Sequence, residues 1–235
     1  MPRKSLVSQV AETILDQIVR GELPVGGPLP TEAELCAVHD VSRMTLREAL
    51  KTLQAQNVVR AAPGVGSYVN PLEQWTGLEA VLRATSAGAG EDLTSVQLVE
   101  VRRMIETGAA ALAAERHGAA DLRELEGLLE LMRDAHRRED LAAFVRADIG
   151  FHDAVLRASG NVFVALLLDP LSRVLREKRE QTSAVPRIQV NAIEQHALVL
   201  EALRSREPER ARRAMDAHLQ QTAEDLRRYV LDPPA

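Results

Sequence analysis

Apolar residues recur at helical spacing along most of the chain, beginning close to its N-terminus. The first stripe predicts a helix over residues 5–20 and consists of Val7, Val10, Ile14 and Ile18. Thr31 and Glu34 form a capping box that predicts the start of a short second helix. After a tight turn, Ser42 caps a third helix, whose core-facing residues are Leu46, Ala49, Leu50 and Leu53. Two short helices joined by a tight turn are typical of a helix-turn-helix.

The third helix leaves polar side chains on its outer face, with cations close to its N-terminus. These outward residues are Arg43, Thr45, Arg47 and Lys51. A recognition helix presents its N-terminal residues to the major groove of DNA in this way. We therefore predict that these four residues contact DNA, with Arg43 and Arg47 at bases or phosphates.

A β-rich stretch follows this helix. Asn57 can adopt the left-handed conformation that ends a helix. Residues 58–61 and 67–69 then flank a turn formed by Pro63, Gly64, Val65 and Gly66, which predicts a β-hairpin. A hairpin behind a helix-turn-helix forms a wing, and the predicted DNA contacts in this wing are Arg60 and Gly66.

From Thr94 onward, helical patterns follow one another with little β signal. Six helical segments are predicted, the fourth with a break or kink at Asp169 and Pro170, and they cover residues 94–117, 121–138, 140–159, 161–185, 189–205 and 208–230. A short helix over residues 74–85 and a flexible joint at 87–90 precede them. The predicted fold class is mainly α, with a winged helix-turn-helix domain at residues 1–70, a linker with a short helix at 71–93 and an all-α bundle of six or seven helices at 94–235.

The composition supports helical cores built from small and aliphatic residues. Hydrophobic residues make up 46% of the 235 residues and aromatic residues only 3%, so Leu, Val and Ala must fill the interior. The single cysteine, Cys36, excludes an internal disulfide and fits a reducing cytoplasm. No apolar run approaches the length of a membrane span, and no apolar segment follows Arg3 and Lys4. We therefore expect a cytoplasmic protein without a membrane partner.

The formal net charge of -5 does not by itself favour nucleic-acid binding. Residues 1–70 contain seven Lys and Arg and seven Asp and Glu, so the predicted DNA-binding part is neutral. Affinity for DNA must then come from cations placed on one helix face and from a dimer that binds two half-sites.

A second group of polar residues lies among apolar positions of the C-terminal helices. Asp148 and His152 are four residues apart and share one helix face, and His196 and His218 lie in the middle of later predicted helices. One interpretation is a set of histidines held against backbone or carboxylate groups of the core. The other is a metal site, because imidazole and carboxylate ligands together suit zinc, nickel or another borderline divalent ion.

The N-terminal motifs resemble those of the GntR family of bacterial transcription regulators. The matching stretches are LPTEAEL at residues 29–35 and VSRMTLREAL at residues 41–50, followed by a wing that contains glycine. Two positions depart from the family pattern, since Ala33 and Val65 stand where many relatives carry basic residues. The resemblance implies that the remaining cations carry more of the DNA binding.

The C-terminal motifs resemble the FCD ligand domain, which defines the FadR subfamily of these regulators. The matching stretches are residues 100–106, 148–152, 159–161, 194–196 and 215–219. In metal-binding members this resemblance implies four ligands, here Asp148, His152, His196 and His218. It also implies a small carboxylate effector, such as a hydroxy, keto or sugar acid, and an arginine in the effector pocket, here Arg102. The alternative for Arg102 is a surface ion pair with Glu106, four residues later on the same helix.

The expected function is a homodimeric transcription repressor that binds a palindromic operator and responds to an organic acid bound at the metal ion. A metalloenzyme is the first alternative. It is disfavoured because the sequence has no H-E-x-x-H motif, no nucleophile elbow and no general base beside the four candidate ligands, so we expect no enzyme activity. The second alternative is a helical dimerisation module with buried histidines and no ligand.

Overall fold

A computed structural model of the chain describes residues 5–62, 66–87, 91–164 and 179–231. The chain divides into two compact units, Met1–Glu91 and Asp92–Ala235. Within the described residues, the first unit contains α-helices and one two-stranded sheet, and the second unit is helical. This arrangement confirms the predicted fold class.

The helices of the first unit begin at the residues that the sequence marks as caps. Its helices are α1 Leu6–Val19, α2 Glu32–His39, α3 Arg43–Ala55, a 3-10 helix Leu72–Gln74 and α4 Leu78–Thr85. Thr31 and Glu34 form the expected capping box on α2, because each side chain binds the backbone N–H of the other residue. The Ser42 hydroxyl caps α3, and Asp40 turns the chain between the two helices with a φ of 49°.

A two-stranded antiparallel hairpin follows α3. Its strands are β1 Val59–Ala62 and β2 Gly66–Val69, and Val59 pairs with Val69. Asn57 has a φ of 53° and occupies the left-handed conformation that was expected at the end of α3. The predicted turn residues 63–65, including Val65, lie outside the described residues.

The core of the first unit lies between α1, α3 and the hairpin. Its most deeply buried residues are Ile14, Leu46, Leu53, Val58 and Val69. α4 contributes Ala80 to the same core, and Arg83 Nη1 on α4 lies 2.9 Å from Asp16 Oδ1 on α1. The segment that the sequence assigns to a linker therefore carries a helix that packs on this unit.

Long helices make up most of the described part of the second unit. They are α5 Glu91–Arg116, α6 Ala119–Arg137, α7 Leu141–Ala158, α8 Pro186–Arg204 and α9 Pro208–Leu226, followed by a π-helical turn Arg227–Leu231. Residues 162–164 and 179–183 are also helical. The predicted break at Asp169 and Pro170 lies outside the described residues. α8 begins at Pro186 rather than at 189, because proline fits the first turn of a helix, where its missing N–H has no partner to lose.

Interhelical packing in the second unit brings distant segments together. α6 packs against α7 and α8, and α8 packs against α9. One cluster of buried apolar residues joins α5 to all four of these helices, and its fully buried members include Leu125, Phe151, Leu203, Met215 and Leu219. Among the described helices, none is both long and apolar enough to cross a membrane.

Candidate functional site

The four predicted metal ligands converge in the interior of the second unit. Asp148 and His152 lie one turn apart on α7, His196 comes from α8 and His218 from α9. All four side chains are buried, and His196 is completely inaccessible to solvent. One nitrogen of each imidazole lies within 4.8 Å of one nitrogen of each of the others. Residues that are far apart in the sequence thus form one polar cluster inside a helical core.

The distances between the candidate ligand atoms suit a shared ion. His152 Nε2 and His218 Nε2 are 3.3 Å apart, and His196 Nε2 lies 3.2 Å from Asp148 Oδ1. Two ligands that each bind zinc at about 2.0–2.1 Å in tetrahedral geometry are separated by roughly 3.3 Å. The third separation, from His152 Nε2 to Asp148 Oδ1, is longer at 3.9 Å. The donor set and its spacing therefore fit a borderline divalent cation.

The hydrogen bonds of His196 show which of its two ring nitrogens could bind a metal ion. Its Nδ1 lies 2.6 Å from the carbonyl oxygen of Ala192, which can only accept, so Nδ1 carries the proton in the neutral ring. Its Nε2 then carries a lone pair, is buried, and forms no hydrogen bond within the described part of the chain. A lone pair that faces the Asp148 carboxylate without a proton between them is the arrangement expected of two ligands of one cation.

Glu106 fixes the orientation of His152. Its Oε2 accepts a hydrogen bond of 2.5 Å from His152 Nδ1, which leaves the lone pair of His152 on Nε2, facing the cluster. Its Oε1 accepts a hydrogen bond of 2.7 Å from Arg102 Nε. Burial raises the pKa of Glu106, but Arg102 and His152 more than offset this and hold the pKa well below its usual value. The sequence indicates Glu106 only as a partner of Arg102, because its contact with α7 depends on helix packing.

Arg102 is not part of a surface ion pair. It does pair with Glu106, but both side chains are at least nine-tenths buried, so the ion pair lies in the interior and not at the surface. Its Nη2 lies 3.1 Å from His152 Nε2, at the edge of the candidate ligand atoms. A guanidinium in this position would meet an anion bound at the cluster.

Arg179 is a buried residue of the site that no sequence motif indicates. Its Nη1 lies 2.7 Å from Asp148 Oδ2, while Asp148 Oδ1 faces His152 and His196. The pair neutralises the carboxylate and fixes its orientation. No spacing rule could have linked Arg179 to Asp148, since the two residues lie on different helical segments.

Burial and nearby charge set the protonation of the cluster. Desolvation lowers the pKa of His152 to about 4, and it also holds the pKa of His218 well below its usual value. Both rings are therefore neutral near pH 7, which is the form that binds a metal ion. Burial raises the pKa of Asp148, but Arg179 and the neighbouring His196 and His152 together more than offset this, and the pKa lies well below its usual range.

Two small cavities border the cluster. One, of about 40 Å³, is lined by Arg102 and Arg179 together with the apolar residues Leu98, Val99 and Leu226. The other, of about 30 Å³, is lined by His218 and by both apolar and polar side chains of α8 and α9. Each exceeds the roughly 10–15 Å³ that a single water molecule requires.

The predicted DNA-binding residues lie on the outer face of α3 and on the hairpin. Arg43, Arg47 and Lys51 are exposed, whereas Thr45 is partly buried and its hydroxyl lies 3.0 Å from that of Ser42. Arg47 Nε lies 3.0 Å from Glu32 Oε2, and Lys51 Nζ lies 2.9 Å from Glu48 Oε1. Arg47 and Lys51, two of these three exposed cations, are therefore paired with carboxylates that DNA phosphates could replace.

The wing residues are also at the surface. The guanidinium of Arg60 lies over the ring of Tyr68, 4.9 Å from its centroid. Gly66 is exposed and begins β2 with a φ of 125°, a conformation that strongly favours glycine.

Comparisons with known proteins cover both units. Residues 6–69 match the family described as "Bacterial regulatory proteins, gntR family", and residues 97–221 match the "FCD domain". The chain is 30% identical to the "Galactonate operon transcriptional repressor" of Escherichia coli (strain K12), over 88% of this chain and 90% of that protein. It is 31% identical to the "HTH-type transcriptional regulator LutR" of Bacillus subtilis (strain 168), over 90% of this chain and 97% of that protein.

A solved structure described as "Streptococcus agalactiae GntR" is similar with a TM-score of 0.53 and 27% identity, over 93% of this chain and 99% of that chain. Together these matches confirm the resemblance that the motifs indicated. Proteins of this family regulate transcription and are not enzymes, which confirms the expectation that the chain has no enzyme activity. The chain belongs to the GntR family of bacterial transcription regulators, in the group whose C-terminal unit is an FCD domain.

Proposed function

We propose that this chain is an operator-binding repressor whose DNA affinity is controlled by a small organic acid bound at a divalent metal ion. Asp148, His152, His196 and His218 would hold the ion. The observation that carries this proposal is the lone pair of His196 Nε2, buried without a hydrogen bond among the described residues and 3.2 Å from Asp148 Oδ1. Such a contact is unfavourable unless a cation compensates both atoms.

The ligand set favours zinc or nickel. Imidazole nitrogen and carboxylate oxygen suit both ions, whereas magnesium and calcium prefer oxygen ligands alone. When bound, the ion supplies a positive charge in a buried site, which attracts an anion.

A carboxylate is the anion that the surrounding residues best support. Arg102 Nη2 lies 3.1 Å from His152 Nε2, and the guanidinium can pair with a carboxylate through two parallel hydrogen bonds. Arg102 and Arg179 line the same cavity, so an acid that reached the cluster would meet both. One relative is the galactonate operon transcriptional repressor of Escherichia coli, which is consistent with an organic-acid effector.

The first unit supports the DNA-binding half of the proposal. Arg43, Thr45, Arg47 and Lys51 on α3 would enter the major groove, with Arg60 and Gly66 of the wing on the flanking backbone. Residues 1–70 carry equal numbers of basic and acidic residues, so a homodimer on a palindromic operator would supply the affinity that one copy lacks. The protein would act in the cytoplasm, without a membrane partner.

Metal analysis of the full chain, purified without a His-tag, tests the proposal. We expect zinc or nickel at about one equivalent per chain. The double variant H152A/H196A should lose the ion, whereas H136Q, which changes a histidine of α6 outside the cluster, should retain it. Absence of an ion from both the wild type and H136Q would refute the proposal and favour a helical module with buried histidines.

A further inference from the structure

Met44 is an exposed apolar residue at the beginning of the predicted recognition helix. It is the second residue of α3, which begins at Arg43 behind the Ser42 cap. Its side chain is 74% exposed, more than any other large apolar side chain in the described part of the first unit. Exposure alone assigns it no role, since isolated apolar residues are common on protein surfaces.

Helical geometry places Met44 in the middle of the solvent-facing side of α3. The buried residues of this helix form one stripe and are Leu46, Ala49, Leu50 and Leu53. At 3.6 residues per turn, Met44 lies roughly 170° around the helix axis from the centre of this stripe. It is therefore directed away from the core of the first unit.

Met44 shares this outer face with two of the cations that are predicted to bind DNA. Arg47 and Lys51 follow it by three and seven positions, a spacing that keeps side chains on one face of a helix. Glu48 lies on the same face, one turn after Met44, and its carboxylate accepts a hydrogen bond from Lys51 Nζ. If this face enters the major groove, Met44 enters it together with Arg47 and Lys51.

The first turn of α3 consists of a central residue with one residue on each side. Arg43 and Thr45 are each turned by about 100° to one side of Met44. When a recognition helix lies in the major groove, the middle of its outer face is directed at the base edges, and its sides lie closer to the phosphates. Helical side chains also point toward the N-terminus of their helix, so Met44 is directed at the base pairs below the start of α3.

The chemistry of methionine limits what Met44 can contact in the groove. Contacts with phosphate need a hydrogen-bond donor or a positive charge, and the thioether group has neither. The major groove presents one apolar group, which is the 5-methyl group of thymine. Contact between the two removes apolar surface of both from water, and the three rotatable bonds of methionine let its end adapt to the methyl group.

We propose that Met44 is a specificity-determining residue that packs against the 5-methyl group of one thymine in each operator half-site. Arg47 and Lys51 would supply hydrogen bonds and charge on the same face, whereas Met44 would distinguish thymine from the other bases. This inference rests on the DNA-binding half of the proposed function.

Replacement of thymine by deoxyuridine tests this contact, because it removes only the 5-methyl group. The full chain first selects its preferred duplex from a pool of random DNA sequences. Each thymine position of that duplex is then changed to deoxyuridine in both half-sites, and fluorescence anisotropy measures the Kd of every duplex. At one thymine position we expect wild-type binding to weaken roughly fourfold per half-site, which is the effect of one buried methyl group.

M44A should bind the thymine and deoxyuridine duplexes equally at that position, because its side chain no longer reaches the methyl group. M104A is the matched control, since Met104 on α5 is 72% exposed and belongs to the second unit. It should discriminate as the wild type does.

Failure of this inference and failure of the proposed function give different results. If no deoxyuridine substitution weakens wild-type binding, or M44A discriminates as strongly as M104A at every position, the contact assigned to Met44 is wrong while the proposed function stands. A selected duplex without thymine in its half-sites would overturn the assignment in the same way. If the full chain selects no duplex from the pool, the assignment and the DNA-binding half of the proposed function both fail.

Discussion

His196 Nε2 on α8 lies 3.2 Å from Asp148 Oδ1 on α7, while His196 Nδ1 is engaged by the carbonyl oxygen of Ala192. A lone pair and a carboxylate oxygen therefore face each other inside a helical core. In the metal-free protein this contact is electrostatically unfavourable, and a bound cation would relieve it. Stability of the second unit should consequently depend on metal, on pH and on the charge balance around Asp148.

Metal removal should lower the melting temperature of the wild type. A ligand present at a hundred times its Kd stabilises the folded state by about 2.7 kcal/mol, which corresponds to a shift of roughly 5–10 °C for a chain of this size. Differential scanning fluorimetry with and without a chelator measures the shift. H196A should melt at the same temperature under both conditions. A chelator effect of equal size in H196A would place the responsible ion elsewhere.

Loss of the Asp148 carboxylate should destabilise the metal-free protein through Arg179. D148A leaves the guanidinium of Arg179 buried without its 2.7 Å partner, and removal of one member of a buried ion pair costs about 3–5 kcal/mol. Urea denaturation of D148A and of D148A/R179M measures this loss in the free energy of unfolding. The double variant should recover part of the lost free energy of unfolding, because it no longer buries an unpaired charge. Equal stability of the two variants would show that the ion pair does not determine the loss.

Acid should destabilise the metal-free protein between pH 6.5 and pH 4. Desolvation lowers the pKa of His152 from its ordinary value of 6.5 to about 4, so below pH 6.5 the unfolded chain binds a proton that the folded chain excludes. His152 does not change the free energy of unfolding above pH 6.5. As the pH falls toward 4, the exclusion of its proton lowers the free energy of unfolding by about 3 kcal/mol. The lowered pKa of His218 acts in the same direction.

Urea denaturation at a series of pH values measures this slope. H152Q should show a shallower decline than the wild type, because it removes one of the excluded protons. H136Q, which alters a histidine on α6 outside the cluster, should show the wild-type slope. A wild-type stability that stays constant or rises from pH 6.5 to pH 4 would contradict the neutral, buried state of His152.

Arg47 should make a measurable contribution to operator binding. R47A is expected to weaken binding by about 1–3 kcal/mol if the guanidinium reads a base, as measured by fluorescence anisotropy with operator DNA. E32Q is the matched comparison, because it removes the carboxylate that lies 3.0 Å from Arg47 Nε. It should bind DNA at least as tightly as the wild type. Unchanged affinity of R47A would remove its assigned role in recognition.

The sequence predicts a structural feature best when all the residues that form it lie in one helix or turn. Capping by Thr31, Glu34 and Ser42 sets the starts of α2 and α3, and Asn57 ends α3 in the expected conformation. The one-turn spacing of Asp148 and His152 likewise places both on the buried face of α7. Such features depend on neighbouring residues alone, so they can be recognised without knowledge of the tertiary structure.

Contacts between distant segments were harder to foresee. Convergence of His196 and His218 on the α7 pair was expected from a family resemblance, because no spacing rule connects three helices. The contacts of Glu106 with His152 and of Arg179 with Asp148 were missed for the same reason.

Operator affinity of the zinc-loaded full chain, titrated with and without saturating organic acid, tests the central claim most directly. Coupling between two sites typically amounts to 1–3 kcal/mol, so we expect the acid to change the operator Kd by roughly fivefold to 150-fold. H152A/H196A, which lacks two of the candidate ligands, should show no such change. An operator Kd that is the same with and without bound acid in the zinc-loaded wild type would contradict the account.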